Sequence, residues 1–279
     1  MKNRISPRLV HILAIGAYVL MIAVNAAATM LAINDVTTSE ISDRYASLFT
    51  PAGITFSVWG LIYAALLVYT VYQTGSVWKH TPQQSKVVAH INWLYILSCL
   101  ANAAWIVCWH YEKIALSLIV MLILLAILVV IYLRIHAMLR TGSSRSQKLC
   151  VLAPFSLYLG WITVAAIANV SALLVGIGWN GFGISQPVWT VVMMLLAVFV
   201  TLMVQRQYRD MIFTAVVIWA LAGILIKHIT VYKMAYTLIL VAGVMSIAAL
   251  LIGIVLIFSS KKRVRRKIRS VRSNRRRTR

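Results

Sequence analysis

Long apolar stretches separated by short polar segments are the dominant pattern of this 279-residue chain. Because roughly 20 apolar residues carry a helix across the hydrocarbon core of a bilayer, each stretch of that length predicts a spanning helix. The stretches are approximately residues 9–33, 54–74, 88–109, 114–139, 149–178, 185–205, 210–229 and 234–258. Four glycines near the end of the long fifth stretch favour a break in its helix, namely Gly176, Gly178, Gly181 and Gly183. The pattern therefore predicts an all-α integral membrane protein with about eight transmembrane helices.

The first apolar stretch also allows a second interpretation, as a secretory signal peptide. Lys2, Arg4 and Arg8 precede it, and small residues around Ala27 resemble a cleavage site. The apolar part of a signal peptide is about 7–15 residues long, whereas this stretch is longer. We therefore favour a retained first helix, while cleavage would leave seven spans.

Positive charge is concentrated on one side of the predicted spans. The chain has 27 Lys and Arg residues against 5 Asp and Glu residues, and twelve of the cations lie in residues 261–279. If both termini are cytoplasmic, 23 cations lie on the cytoplasmic side, and the four outside are Arg44, Lys113, Lys227 and Lys233. Because cytoplasmic segments are enriched in Lys and Arg, we expect a multi-pass protein of the cell membrane with both termini in the cytoplasm.

The basic cytoplasmic tail, residues 259–279, is expected to contact anionic lipid. Val264, Ile268 and Val271 recur at helical spacing and would give a basic helix a thin apolar stripe. Attraction to an anionic membrane surface would hold such a helix on the inner leaflet. No aromatic residue is interleaved for stacking on bases, so we expect no nucleic-acid partner. A disordered tail that only fixes the topology is the alternative.

Acidic residues are absent from the interior of the predicted spans. Asp35, Glu40, Asp43 and Glu112 fall in outer segments, and Asp210 lies at an inner boundary. Acid–base catalysis and ion coupling both need ionisable groups within a site. The motifs of hydrolases, zinc enzymes and P-loop proteins are missing as well. We therefore predict no enzyme activity, no metal site and no resident cofactor.

Other titratable residues lie close to the span ends. They include His110, His136, His228 and Lys227. For these we expect interfacial side chains rather than catalytic ones, because long or amphipathic side chains reach from a span end to water. For Asp43 we expect a solvated carboxylate.

Tryptophan, tyrosine and asparagine recur at helical spacing in three spans. The residues are Trp59 and Tyr63 in the second span, Asn102, Trp105 and Trp109 in the third, and Trp161, Ala165 and Asn169 in the fifth. Residues three or four apart share one helix face, and most of these lie in the outer half of the membrane. They could line one cavity that suits a large, flat, mostly apolar molecule. Helix packing is the alternative that the spacing alone favours.

The same residues form ordered motifs that carry a family resemblance. The motifs are Trp59-Gly-Leu-Ile-Tyr63 after Pro51, Asn102-Ala-Ala-Trp105, Ala115-Leu116, and Tyr158-Leu-Gly-Trp161 followed by Ala165 and Asn169. In their order and position they resemble those of the tryptophan-rich sensory protein/translocator protein (TspO/MBR) family. The resemblance covers roughly residues 9–178. It implies a five-helix bundle in residues 1–178. The three additional transmembrane helices predicted in residues 179–258 have no counterpart in that family, so the chain resembles an elongated relative.

The resemblance also implies a function. In that family the equivalent residues line a pocket that binds porphyrins, sterol-like lipids and synthetic aromatic ligands, beneath a lid between the first two helices. Carried over, this makes the eight residues of the three spans ligand-binding and assigns Pro51, Glu40 and Asp43 to the lid. Thr37 and Glu40 also have the spacing of a capping box, which predicts a short helix in the lid. The sterol-contact pattern expected after the fifth span is absent.

Three functional hypotheses follow from the resemblance. The first is a membrane protein that binds a hydrophobic, tetrapyrrole-like ligand, such as a porphyrin or a haem-like molecule, as a sensor, store or carrier. The second is a facilitative permease or exporter of a small lipophilic solute. A porphyrin-modifying enzyme comes third, because the spans supply no acid or base. Small residues at Ala242, Ser246, Ala249 and Gly253 allow packing within the chain or in a homodimer.

Overall fold

A computed structural model describes residues 6–30, 36–78, 82–139 and 144–277, and these residues are almost entirely helical. The helices are α1 Pro7–Met30, α2 Thr38–Arg44, α3 Val58–Trp78, α4 Pro82–His110, α5 Ile114–Leu139, α6 Arg145–Gln147, α7 Ala153–Gly176, α8 Gln186–Tyr208, α9 Met211–Thr230 and α10 Thr237–Arg277. A 3₁₀ turn, Gly53–Ser57, precedes α3. Lys2, Arg4 and Asp35 lie outside the described residues, as do the side chains of Val264, Ile268 and Val271.

Eight helical segments of the described chain are long and apolar enough to cross a membrane. They coincide with the predicted stretches to within a few residues, which confirms the expected number of spans. The predicted break after the fifth span is also confirmed, because α7 ends at Gly176 and is followed by Gly178, Gly181 and Gly183, all with positive φ. Residues other than glycine rarely adopt that backbone conformation, so these glycines allow a tight connection to α8.

The fold places α7 at the centre of the molecule. On one side α7 packs against α3 and α5, and on the other it packs against α9. Helix α4 lies between α1 and α5, while α10 packs on α8 and α9. The helix around Trp161 is buried from Pro154 to Ile162. Helices α5, α8 and α10 instead expose large apolar side chains such as Leu122, Leu195 and Val244, as expected of faces that contact lipid.

Close contacts join the last three spans to one another and to α7. A Cβ added to Gly160 of α7 would lie 3.1 Å from the carbonyl oxygen of Phe213 in α9. A Cβ at Gly243 would meet Leu225, and one at Gly253 would meet Gln205. The small residues of α10 therefore serve packing within the chain, and a homodimer remains a prediction. The division into a five-helix bundle and an additional unit also stays a prediction.

Replacing Gly160 by leucine should separate α7 from α9. Because the new side chain would overlap the backbone at Phe213, we expect a loss of about 1–3 kcal/mol in the free energy of unfolding. Thermal unfolding in detergent measures this. The matched control is Gly16→Leu, since a Cβ at Gly16 meets nothing within 4 Å. An equal melting temperature for both variants would contradict the packing described.

Candidate ligand-binding site

Residues 36–53, here called the lid, cover one end of the helix bundle. We call this the lid end and the opposite end the tail end. Helix α2 begins with the predicted capping box, in which Thr37 Oγ1 accepts the Glu40 N–H (3.2 Å) and Glu40 Oε2 accepts the Thr37 N–H (2.6 Å). Donation from the Thr37 backbone N–H, and next from the Thr37 side chain, lowers the pKa of the exposed Glu40 carboxyl. Glu40 therefore fixes the start of α2. It lines neither of the two cavities described below.

A central cavity lies directly beneath the lid. Its volume is about 40 Å³. Its lining includes most of the predicted ligand-binding residues and the predicted lid residue Pro51, namely Thr38, Ser42, Thr50, Pro51, Phe56, Trp59, Trp105, Trp109, Trp161, Val164, Ala165, Ala168, Asn169 and Ala172. The α7 contribution repeats at three- and four-residue spacing, which is one helix face. Alanines on that face leave the space that the aromatic rings of α3 and α4 surround.

Indole rings form a stacked wall in this cavity. The ring centroids of Trp59 and Trp105 lie 5.6 Å apart, and those of Trp105 and Trp109 lie 6.1 Å apart. The interplanar angles of 27° and 25° make both pairs stacked. Trp161 meets Trp59 edge-on at 82°. Together the rings give this side of the cavity an aromatic, mostly apolar surface.

Some polar atoms of the cavity lining have hydrogen-bond partners and others do not. Trp109 Nε1 donates to the carbonyl oxygen of Thr38 in the lid (3.2 Å), and Asn169 Oδ1 accepts from Ser117 Oγ (3.3 Å). The Nε1 atoms of Trp105 and Trp161 are buried and have no acceptor among the described residues. A buried donor without a partner costs about 1–3 kcal/mol. Two such donors in one cavity are suited to a ligand that carries acceptor atoms.

Two predicted site residues lie outside the central cavity. Asn102 is fully buried in a hydrogen-bonded chain that crosses the bundle. Tyr63 Oη donates to Asn25 Oδ1 (2.7 Å), Asn25 Nδ2 donates to Asn102 Oδ1 (2.8 Å), and Asn102 Nδ2 donates to Tyr158 Oη (2.8 Å). Asn102 therefore joins α1, α4 and α7, while Tyr63 faces a second cavity.

The second cavity lies between α1 and α3 beside the central one. Its volume is about 530 Å³. Asn25 and Tyr63 line it, together with residues of the lid. Thr38, Phe56 and Trp59 line both cavities, so their side chains form the partition. We refer to it as the lateral cavity.

Helix α9 makes four polar contacts with the lid and the 3₁₀ turn that follows it. The contacts are Ala52 N–H to the Gly223 carbonyl (3.0 Å), Trp219 Nε1 to the Thr55 carbonyl (3.0 Å), His228 Nε2 to the Leu48 carbonyl (2.9 Å) and Lys227 Nζ to Asp43 Oδ1 (2.5 Å). Lys227 and His228 are therefore buried against the lid, and the expectation that their side chains reach water from the span end is wrong. The Lys227 side chain is 7% exposed, whereas its partner Asp43 is 56% exposed and paired rather than simply solvated.

The other side of the lid is held by the connection between α4 and α5. Arg44 Nη1 donates to Glu112 Oε1 (2.6 Å), and Tyr45 Oη donates to Glu112 Oε2 (2.9 Å). Burial, and next the Glu112 carboxylate, raises the pKa of Tyr45. His110 Nε2 lies 3.0 Å from Thr38 Oγ1. The lid is thus fixed at both edges.

Comparison with known proteins decides the family. The family described as TSPO-like protein matches residues 11–257. The chain belongs to this TSPO-like family. The match extends across α8, α9 and most of the apolar part of α10, beyond the five spans that carry the sequence motifs. No curated protein and no solved structure matched the chain.

The protein is accordingly a multi-pass, all-α membrane protein of the TSPO-like kind. Sequence reasoning missed Trp219, Gly223 and Lys227 as neighbours of the lid. Their spacing of four residues was a readable signal, but nothing in it indicated which partner the face would meet. Within the described residues, no group of three or more His, Cys, Asp and Glu side chains is placed to hold a metal ion.

The capping box of this TSPO-like protein should make the lid helix sensitive to acid. Because the folded-state pKa of Glu40 is lowered, its contribution is present above the unfolded pKa and is lost as the pH falls through the folded value. We expect the exchange protection of the α2 amides to fall below roughly pH 4. Hydrogen exchange corrected for intrinsic rates measures this. In Glu40→Gln, whose neutral amide can still complete the box, the loss of protection over that range should be smaller than in the wild type, and an identical pH profile would contradict the assignment.

Proposed function

We propose that this TSPO-like protein binds a flat, hydrophobic ligand of the tetrapyrrole class, such as a porphyrin or a haem-like molecule, in the central cavity. It acts as a sensor, store or carrier of that ligand. The observation that carries the proposal is the stacked wall of Trp59, Trp105 and Trp109 next to two buried indole N–H groups without acceptors. A planar ring system would stack on the wall, and its acceptor atoms would receive the N–H groups of Trp105 and Trp161.

The size of the cavity indicates how binding would proceed. Sites for small molecules occupy about 300–1,000 Å³, far more than the 40 Å³ beneath the lid. Binding therefore requires side chains to move. Displacement of Phe56 and Trp59 would join the central cavity to the lateral cavity of about 530 Å³. This movement changes the environment of a tryptophan and is observable by fluorescence.

The lining chemistry supports binding rather than catalysis. Among the residues that line the central cavity in the described structure, none has a side chain that titrates as an acid or base near neutral pH. Acid–base chemistry on a ligand would have to draw on groups outside the cavity. For this reason a porphyrin-modifying enzyme remains the third hypothesis.

Packing toward the tail end supports a sensor or store over a permease. Tyr69, Tyr95 and Phe155 form a layer of edge-on rings with centroids 4.9–5.9 Å apart. Tyr69 lies ten residues beyond Trp59 along α3, which is about 15 Å toward the tail end. The layer fills the bundle between the cavity and the far membrane surface. A permease would need to open this layer as well as the lid.

The placement in the cell, the lipid partner and the dimer are further parts of the proposal. The 23-to-4 distribution of cations supports a cell-membrane location with both termini cytoplasmic. Helix α10 continues to Arg277, so it is about 60 Å long and extends beyond a bilayer core of about 30 Å. The basic extension, residues 259–277, would then contact anionic lipid. A homodimer would use exposed apolar faces, such as that of Met245 in α10.

Titration with a porphyrin panel tests the pocket. We expect saturable quenching of tryptophan fluorescence in the wild type, and at least about tenfold weaker binding in the Trp161→Ala, Asn169→Ala variant because one aromatic ring of the cavity and its N–H donor are lost. Trp93→Ala is the matched control, since Trp93 is exposed on α4 away from the cavity. Equal affinities in all three proteins would overturn the pocket assignment.

Sealed vesicles separate the candidate functions. A sensor or store binds porphyrin without moving it across the membrane, so we expect no flux in vesicles that contain the wild type. Flux that depends on the protein would favour the permease. Recovery of a chemically altered porphyrin would favour the enzyme.

A further inference from the structure

Helix α9 meets the lid through one continuous face. Trp219, Gly223 and Lys227 are spaced by four residues, so their side chains or carbonyls lie in one row along the helix. Their partners are Thr55 of the 3₁₀ turn and Ala52 and Asp43 of the lid, so the partner's residue number falls as the number along α9 rises. Since α9 belongs to the part of the chain that follows the five-helix motifs, these contacts join two regions that the motifs do not connect.

The contacts hold the residues that roof the central cavity. Thr50 and Pro51 line the cavity and lie between Leu48 and Ala52, whose carbonyl and N–H are both bonded to α9. Ser42 also lines the cavity and precedes Asp43. The position of the roof is therefore set by α9 on this side.

Close approach at Gly223 makes the contact possible. A Cβ at this position would overlap the side chain of Thr55, so any larger residue would push the 3₁₀ turn away from α9. The Gly223 carbonyl could then no longer accept the Ala52 N–H at 3.0 Å. Glycine is needed here for space, not for an unusual backbone conformation.

The ion pair makes lid opening unfavourable. Lys227 is 7% exposed on the side chain, and its contact in the described structure is the Asp43 carboxylate of the lid. If the lid leaves, the ammonium group loses the Asp43 carboxylate as its partner. His228, which is fully buried, would also lose its bond to the Leu48 carbonyl. Both losses favour the closed lid.

We propose that α9 is a latch that holds the lid closed over the central cavity, and that Lys227 is its main positioning residue. The latch sets how fast a ligand enters and leaves. The statement about ligand rates rests on the proposed function, whereas the statement about lid position does not.

Hydrogen exchange of the full-length protein in detergent tests the latch without any ligand. In Lys227→Met, which keeps the length of the side chain and removes the charge, we expect the amides of residues 47–55 to exchange about three- to tenfold faster. Amides of α5 should not change. Lys233→Met is the matched control, because it removes a cation from the same end of the molecule without breaking an ion pair of the described structure.

Two further variants keep the test decisive if Lys227→Met folds poorly. Gly223→Val should release the same residues by displacing Thr55 without any change of charge. The exchanged pair Asp43→Lys with Lys227→Asp should slow the lid amides again relative to Lys227→Asp alone. Unchanged exchange of residues 47–55 in Lys227→Met and Gly223→Val would overturn the latch.

Stopped-flow binding of protoporphyrin tests the consequence for ligands. We expect Lys227→Met to raise the association and dissociation rates together and to leave Kd nearly unchanged, which a general loss of structure would not do. If Lys227→Met speeds up lid exchange but the wild type does not bind porphyrin, the latch is supported and the proposed function is refuted. Porphyrin binding with the same rates in wild type and variant, and unchanged lid exchange, would refute the latch alone.

Discussion

The hydrocarbon core of a membrane offers no hydrogen-bond partner, so a polar group inside the bundle must find one in the protein. The chain from Tyr63 through Asn25 and Asn102 to Tyr158 meets this requirement and ties four helices together, α1, α3, α4 and α7. The indole N–H groups of Trp105 and Trp161 do not meet it within the described residues. A ligand in the central cavity, as proposed, would supply the acceptors that these two indole groups lack.

Helix α7 connects the cavity to α9 through two of its faces. One face, from Trp161 to Ala172, lines the cavity. Another face approaches α9 so closely at Gly160 that a Cβ would touch the backbone at Phe213. The cavity wall and the helix that holds the lid are thus positioned by the same element. A change in the packing of α7 against α9 would therefore shift both the α7 face that lines the cavity and the lid residues that roof it.

Hydrophobic length and helical spacing were sufficient to predict the eight spans and the face that carries Trp161, Ala165 and Asn169, because both depend on local sequence. The role of Asn102 was not predictable in this way. Its spacing from Trp105 suits the cavity as well as it suits the helix contacts, and only the positions of Asn25 and Tyr158 decide between them. The burial of Lys227 was not predictable for a related reason. A lysine near a span end usually reaches water, and no residue near it in the sequence indicates that it pairs with a carboxylate 184 residues away.

Whether the contacts of α9 affect affinity or only rates depends on where the site expands. If the lid rises to make room for a ligand and stays raised, the contacts of Lys227, His228 and Gly223 are absent from the complex and their loss weakens binding. If the site expands sideways through Phe56 and Trp59, the lid closes again over the ligand and the same contacts exist in the free and bound states. Contacts common to both states cancel in Kd and slow entry and exit equally. The lateral cavity is about 530 Å³ and shares its partition with the central one, so sideways expansion needs no displacement of residues 47–55. The proposed latch in α9 would then set the time that a ligand remains bound, while the tryptophan wall would set how tightly it is bound.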